Sequence, residues 1–179
     1  MPVTLLRHTT PAVAAGVCYG ISDLDVTGSF AEEAQAALEN LPAVDSIVTS
    51  PLLRCRRLAD HIATAHAMPV TQDRRLREMD FGTWEGRAWA DIPRAELDLW
   101  AADFLHARPH GGESVAMLAA RTQEAIAELG NTQKHVLIVT HAGVIKAALA
   151  AGSTAADYSA TISYGGFVTL IPPVPRSPA

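Results

Sequence analysis

Short apolar runs alternate along this chain with longer amphipathic stretches. Residues 3–6 and 136–139 are almost uniformly apolar and predict two buried strands, and residues 44–49 alternate enough to predict a third. A last strand is predicted near 161–171. Strands separated by helices at this spacing are typical of βαβ units, so we expect an α/β protein with a mostly parallel sheet.

Five helices are predicted between and after these strands. Ser29 and Glu32 have the spacing of a capping box, and Ser50 before Pro51 is a typical N-cap followed by a first-turn proline. The predicted helices begin at Ser29 and close at Pro42, run from Ser50 to about 67, and lie near 94–106, 113–129 and 142–151. Residues 70–94 show no regular period.

Length and charge narrow the classes of protein that fit. The chain has 179 residues, of which 49% are hydrophobic, enough for one domain at 1–171, and a proline-rich tail at 172–179 that we expect to be loose. The formal net charge is -5. Because nucleic acids and anionic membranes attract basic surfaces, we expect neither as a partner.

The two cysteines indicate the redox state of the cellular compartment. Cys18 and Cys55 have no metal-binding or redox spacing, which favours a reducing environment. The sequence opens on a strand rather than a signal segment, and no apolar stretch approaches the ~20 residues of a membrane helix. We therefore expect a cytoplasmic protein, with its oligomeric state left open and a homodimer among the alternatives.

Cationic and imidazole side chains follow the predicted strands. Arg7 and His8 end the first strand, Arg54 lies early in the helix after the second, and His141 ends the strand at 136–139. Right-handed crossovers bring the carboxyl ends of parallel strands to one edge, where α/β proteins bind ligands. We expect these four side chains to surround one crevice.

This set of groups suits phosphoryl transfer to a histidine. Arginine forks match phosphate oxygens, and two arginines near His8 would hold its imidazole neutral and nucleophilic. The leaving alkoxide needs a proton, and Glu78 is the preferred donor because partial burial beside a bound phosphate favours its protonated form. Asp80 and Glu85 are rivals, although a role as an N-terminal helix cap or as a structural hydrogen-bond acceptor suits Glu85 better.

The motifs together resemble those of the histidine phosphatase, or phosphoglycerate mutase-like, superfamily. Four of them match in order: Leu6-Arg7-His8, Ser50-Pro51-Leu52-Leu53-Arg54, Leu76-Arg77-Glu78 with Phe81-Gly82-Thr83-Trp84-Glu85-Gly86, and Val139-Thr140-His141-Ala142-Gly143. The resemblance covers essentially the full chain. It implies a three-layer α/β/α sandwich with a mostly parallel central sheet, and a reaction without metal or other cofactor. It further implies that His8 is phosphorylated transiently, that Arg7, Arg54 and His141 bind the phosphoryl group, and that Glu78 acts as acid and then as base.

The sequence departs from the family pattern at several positions of the first loop, among them Thr9 and Ile21. Thr9 stands where the family usually has glycine, and Ile21 where an arginine is expected. The surrounding run, Cys18-Tyr19-Gly20-Ile21-Ser22-Asp23-Leu24, resembles the α-ribazole phosphatases of cobalamin synthesis. We therefore expect a phosphomonoesterase acting on a small phosphate ester, with α-ribazole 5′-phosphate slightly preferred. The alternatives are a broad sugar or nucleotide phosphatase, a mutase-type phosphotransferase and a non-catalytic phosphate-binding module.

Other chemistry-bearing residues are interpreted structurally. Cys55 is expected to be a small core residue rather than a catalytic thiol. Packing is preferred over a place at the substrate entrance for Trp84, Trp89 and Trp100. No histidine pair combines a helical i, i+4 spacing with a nearby carboxylate, so we expect no metal site. The remaining histidines are predicted to lie on the surface: His61, His66, His106, His110 and His135.

Overall fold

The computed structural model describes residues 1–171, so the predicted tail at 172–179 lies outside the described residues. Its strands are β1 (Val3–Arg7), β2 (Ser46–Thr49), β3 (Val70–Gln72), β4 (Val136–Thr140) and β5 (Phe167–Leu170). They form one sheet in the order β3-β2-β4-β1-β5. All neighbouring pairs are parallel except β1 with β5, which are antiparallel. The predicted mostly parallel sheet is confirmed.

Helices cover both faces of this sheet. They are α1 (Phe30–Asn40), α2 (Leu53–His66), α3 (Arg94–Ala102), α4 (Val115–Gly130) and α5 (Ala142–Leu149). Successive strand residues point to opposite faces, so Leu6 packs with α1 and α2 while Leu5 packs with α4 and α5. The result is the three-layer α/β/α sandwich that the resemblance implied. Within residues 1–171, none of the helices is long and apolar enough to span a bilayer.

Several boundaries differ from the predicted ones. The edge strand β3 was not predicted, because its three residues are half-buried or exposed and carry no apolar period. The last strand is shorter than 161–171, since the chain before β5 runs as an irregular loop over β1. Helix α3 ends at Ala102 instead of 106, where Asp103 leaves the helical conformation.

Two predicted helix caps are wrong. Helix α2 begins at Leu53 rather than at Pro51; the Ser50 hydroxyl accepts from the Leu52 N–H at 3.3 Å and also lies 2.8 Å from His141 Nε2. Ser29 precedes α1 but makes no side-chain cap; its hydroxyl donates to Glu33 Oε1 at 2.5 Å. The capping box with Glu32 is therefore not formed.

Candidate active site

Two neighbouring parallel strands place the two site imidazoles side by side. Arg7 pairs with Thr140 in the register of β1 and β4, so His8 and His141, the next residues along, leave the sheet together. The His8 N–H donates to the Thr140 carbonyl at 3.0 Å, which continues the ladder by one step. The ring centroids lie 5.2 Å apart at an angle of 61°. Both side chains are buried, with 1% of His8 and none of His141 exposed.

The protonation state of His8 follows from its contacts. Nδ1 lies 2.7 Å from the Thr9 carbonyl oxygen, which can only accept, so Nδ1 carries the proton and the Nε2 lone pair is available. Burial lowers the pKa of His8 to about 3; the Arg54 charge acts in the same direction, the Thr9 hydrogen bond opposes it, and Arg7 adds a smaller lowering. At neutral pH, His8 is an uncharged imidazole with a nucleophilic nitrogen.

Arg54 is a buried cation that the first loop holds in place. It is the second residue of α2 and is fully buried. Its Nη1 donates to the Ser22 carbonyl at 2.7 Å and its Nη2 to the Gly20 carbonyl at 2.6 Å. Glu85 fixes the same loop by accepting from the backbone N–H groups of Ile21 and Ser22, at 3.0 and 2.8 Å. Glu85 is thus the structural acceptor that was expected.

Arg7 and two tyrosines lie together beside His8 and Arg54. The Arg7 guanidinium donates to the Ile162 carbonyl at 2.6 Å and stacks 3.9 Å from the centre of the Tyr164 ring. The Tyr164 ring also lies 5.6 Å from that of His8, and the Tyr19 ring lies 5.4 Å from Arg54 Cζ. The two phenol oxygens are 3.0 Å apart. Sequence reasoning missed Tyr164, because its segment is irregular and carries no motif.

Ser50 and Cys55 surround the second imidazole. His141 is the N-cap residue of α5, and its Nε2 lies 2.8 Å from Ser50 Oγ and 3.3 Å from Cys55 Sγ. Burial, followed by the Arg54 charge and then His8, lowers the pKa of His141 well below its ordinary value. Burial raises the pKa of Cys55, which is fully buried. Cys55 is the small core residue that was predicted.

Glu78 lies against the start of α5. Its Oε2 accepts from the Gly143 N–H at 3.0 Å and its Oε1 from the Met79 N–H at 2.9 Å, and only 8% of the residue is exposed. A Cβ on Gly143 would stand 2.1 Å from Oε1, so only glycine allows this approach. Arg121, which sequence reasoning missed, donates to the Glu78 carbonyl at 3.0 Å and holds the segment in place. The rival Asp80 accepts from the Gly82 N–H at 2.8 Å.

The buried side-chain atoms that have no hydrogen-bond partner within residues 1–171 include Arg7 Nε, Arg54 Nε and Thr9 Oγ1. Buried donors are nearly always paired, because an unmade hydrogen bond costs ~1–3 kcal/mol. Two guanidinium N–H groups and one hydroxyl are therefore available to an anion such as a phosphoryl group.

The described residues offer no obvious metal cluster and correct one histidine prediction. Within residues 1–171, no group of three or more His, Cys, Asp or Glu side chains could hold a metal ion.

His110 is buried rather than on the surface: its ring lies 4.8 Å from that of Trp84, and its Nδ1 accepts from the Gly112 N–H at 3.0 Å. Proline and glycine neighbours turn this loop inward. Trp84 is fully buried, in agreement with a packing role.

Comparison with known proteins agrees with this geometry. The family model of the histidine phosphatase superfamily (branch 1) matches residues 3–161. The chain belongs to this superfamily. Within it, a glucosyl-3-phosphoglycerate phosphatase of Mycolicibacterium vanbaalenii is 33% identical over 165 residues, covering 83% of this chain and 72% of that protein. An adenosylcobalamin/α-ribazole phosphatase of Salmonella typhimurium is 28% identical over 159 residues, covering 84% and 78%.

Solved structures of the superfamily share the fold. The α-ribazole phosphatase of Shigella flexneri superposes with a TM-score of 0.82 at 27% identity, covering 94% of this chain and 89% of that one. Two of the departures from the histidine phosphatase pattern, Thr9 and Ile21, have defined positions in the structure. Thr9 is fully buried and holds His8 through its carbonyl. Ile21 is half-buried, and its backbone N–H binds Glu85.

Proposed function

We propose that this chain hydrolyses phosphate monoesters of small molecules through a phosphoryl group carried transiently on His8. The observation that carries the proposal is the neutral His8 imidazole with its Nε2 lone pair, set among buried guanidinium N–H groups that lack partners. The family match and the phosphatases among the relatives support an enzyme of the phosphoric monoester hydrolase class.

In the first step, His8 Nε2 attacks phosphorus and the bond from phosphorus to the ester oxygen breaks. The electron pair stays on that oxygen, which receives a proton from Glu78 and leaves as an alcohol. Arg7, Arg54 and neutral His141 donate hydrogen bonds to the three phosphoryl oxygens, where negative charge accumulates.

In the second step, water replaces the alcohol. The Glu78 carboxylate takes a proton from the water, the water oxygen attacks phosphorus, and the bond from phosphorus to Nε2 breaks. Inorganic phosphate leaves and His8 returns to its neutral form. A burial that keeps His8 uncharged serves the first step, because a protonated imidazole has no lone pair to offer.

The phosphohistidine can be trapped directly. Acid quenching during turnover of a radiolabelled ester, with excess chelator present, is expected to yield a labelled protein whose label is acid-labile. The label is expected to disappear in His8→Ala and to persist in His66→Ala, a matched change at an exposed histidine. A label retained by His8→Ala, or activity abolished by the chelator, would contradict the metal-free phosphohistidine route.

The acid role of Glu78 has its own test. Glu78→Gln is expected to slow hydrolysis of an alkyl phosphate by ~10²–10⁴-fold. The loss is expected to be smaller for a nitrophenyl phosphate, whose leaving group needs little protonation. Glu39→Gln, an exposed change on α1, is the control. An equal loss for both esters would assign Glu78 a structural role only.

For the natural substrate we propose α-ribazole 5′-phosphate, supported by the loop around Tyr19 and by the α-ribazole phosphatases among the relatives. A phosphate-release screen that includes sugar phosphates, nucleotides and glucosyl-3-phosphoglycerate tests this choice. A higher kcat/KM for any of them would replace α-ribazole 5′-phosphate as the proposed substrate.

Both cysteines are buried with free thiols, which supports a reducing compartment, and we propose that the protein is located in the cytoplasm.

A further inference from the structure

A cavity of about 280 Å³ opens beside Glu78, between α4, the start of α5 and the segment after α3. Its walls are mainly aromatic and apolar, formed by Phe81, Trp100, Phe104, Tyr158, Val115 and Leu118. The lining includes two charged side chains among the described residues, Glu78 and Lys146. Its size is close to the lower end of the range for small-molecule pockets.

The aromatic wall is packed in advance of any ligand. The Trp100 ring lies 6.2 Å from that of Phe81 and 5.9 Å from that of Phe104, and the Phe104 and Tyr158 rings are 5.4 Å apart. Such spacings are those of favourable aromatic pairs. The shape of the cavity is therefore fixed by mutual contacts between side chains from three different segments.

The cavity borders the candidate active site at Glu78. Glu78 lines it and accepts from the N–H of Gly143, another lining residue, at 3.0 Å. Gly143 lies two residues after His141. An ester oxygen that receives its proton from Glu78 therefore lies beside this cavity, and also beside a polar cavity of about 300 Å³ lined by Arg77 and Arg121.

We propose that this cavity binds the alcohol part of the substrate and selects esters whose alcohol carries an aromatic ring or a comparable apolar body. The inference rests on the proposed function, because it is the Glu78 proton that places the ester oxygen. A ring gains from burial against aromatic side chains. A polyhydroxylated alcohol would leave several hydroxyl groups buried with few partners, at a cost for each one.

Three primary alkyl esters separate these alternatives. The leaving oxygens of 2-phenylethyl, ethyl and glucose 6-phosphates differ little in basicity, so their kcat/KM values mainly report contacts of the alcohol. We expect the phenylethyl ester to exceed the ethyl ester by about ten-fold or more. Glucose 6-phosphate is expected to fall below the phenylethyl ester despite its similar size. A preference for glucose 6-phosphate would overturn the proposal.

A change in the wall ties the preference to the cavity. Phe104→Ala is expected to lower the phenylethyl-to-ethyl ratio of kcat/KM by about ten-fold. Phe30→Ala, which truncates a partly buried ring packed against the core on the α1 and α2 face, is expected to leave that ratio unchanged. If Phe104→Ala does not fold, Phe104→Leu removes the ring while keeping apolar volume. An unaltered ratio in the Phe104 variants would overturn the proposal.

Binding of the alcohol alone separates failure of the cavity from failure of the proposed function. The Trp100 indole N–H is buried at the wall and gives a side-chain resonance in a nitrogen–proton NMR spectrum. Titration with 2-phenylethanol is expected to shift this resonance saturably, whereas titration with ethanol is expected to leave it in place. Should no ester be hydrolysed, the proposed function fails, while a saturable shift would still support the cavity. Absence of the shift would overturn the cavity proposal whatever the activity.

Discussion

Mild acidification is expected to destabilise this fold through its two buried site imidazoles, before most carboxylates are protonated. Burial, with a further contribution from Arg54, holds the pKa of His8 at about 3 and that of His141 well below its ordinary value. In the unfolded chain both imidazoles take up a proton near pH 6.5. Below that pH the unfolded state binds more protons than the folded one, so stability is full above it and declines as the pH falls.

The magnitude follows from the two pKa values of His8. A histidine with pKa 6.5 unfolded and about 3 folded lowers the free energy of unfolding by about 1 kcal/mol between about pH 7 and about pH 5.5. The lowered pKa of His141 acts in the same direction. A loss of this kind is measurable against the ~5–15 kcal/mol by which domains are stable.

Urea unfolding at the two pH values measures this loss. In His8→Asn, a change close in size that cannot be protonated, the loss between the two pH values is expected to shrink by about 1 kcal/mol. His66→Asn, on the exposed end of α2, is expected to keep the full loss. If His8→Asn loses as much stability as the unaltered protein, the imidazole of His8 is not kept neutral by the fold and the reasoning is refuted.

Three further substitutions test the site. Gly143→Ala places a Cβ 2.1 Å from the present position of Glu78 Oε1, so the carboxyl must move. We expect kcat to fall by ~10²-fold as a result. Near-normal kinetics would contradict the role of Glu78. Ser50→Ala deprives His141 Nε2 of its hydroxyl partner and is expected to cost ~1–3 kcal/mol in urea unfolding; an unchanged midpoint would show that the contact contributes nothing. Tyr164→Phe removes the hydrogen bond between the two phenols while keeping the stacked ring. Vanadate is therefore expected to associate with the variant faster, as measured by stopped-flow fluorescence. An unchanged association rate would argue against closure of the site by the two tyrosines.

The placement of the strand ends could be predicted because it depends on local signals. Uniform apolar runs mark β1 and β4, and parallel strands end at a common edge, which brings His8 beside His141. The Arg-His motif after β1 and the motif after β4 are short and continuous in sequence. Predicting either of them required no knowledge of a contact between distant parts of the chain.

The parts that could not be predicted depend on contacts across the chain. Ser50 satisfies every local rule for an N-cap, yet its hydroxyl lies against His141, 91 residues away. Tyr164 reaches Arg7 from an irregular loop whose path only the sheet determines. His110 carries no local sign of burial, because the aromatic residues that enclose it come from another segment.

The spacing of the two imidazoles has a consequence for how this fold can diverge. Their 5.2 Å separation is close to the ~4.8 Å between hydrogen-bonded strands, because both follow the register pair of Arg7 and Thr140. The hydrogen bonds between β1 and β4 thus set the distance between the His8 and His141 rings. Side-chain changes in the loops leave this distance unchanged. Insertion of one residue within β4 would instead turn His141 to the opposite face. Loops around the cavity can therefore be exchanged to accept new alcohols, whereas the length of β4 is under a constraint that no loop can relieve.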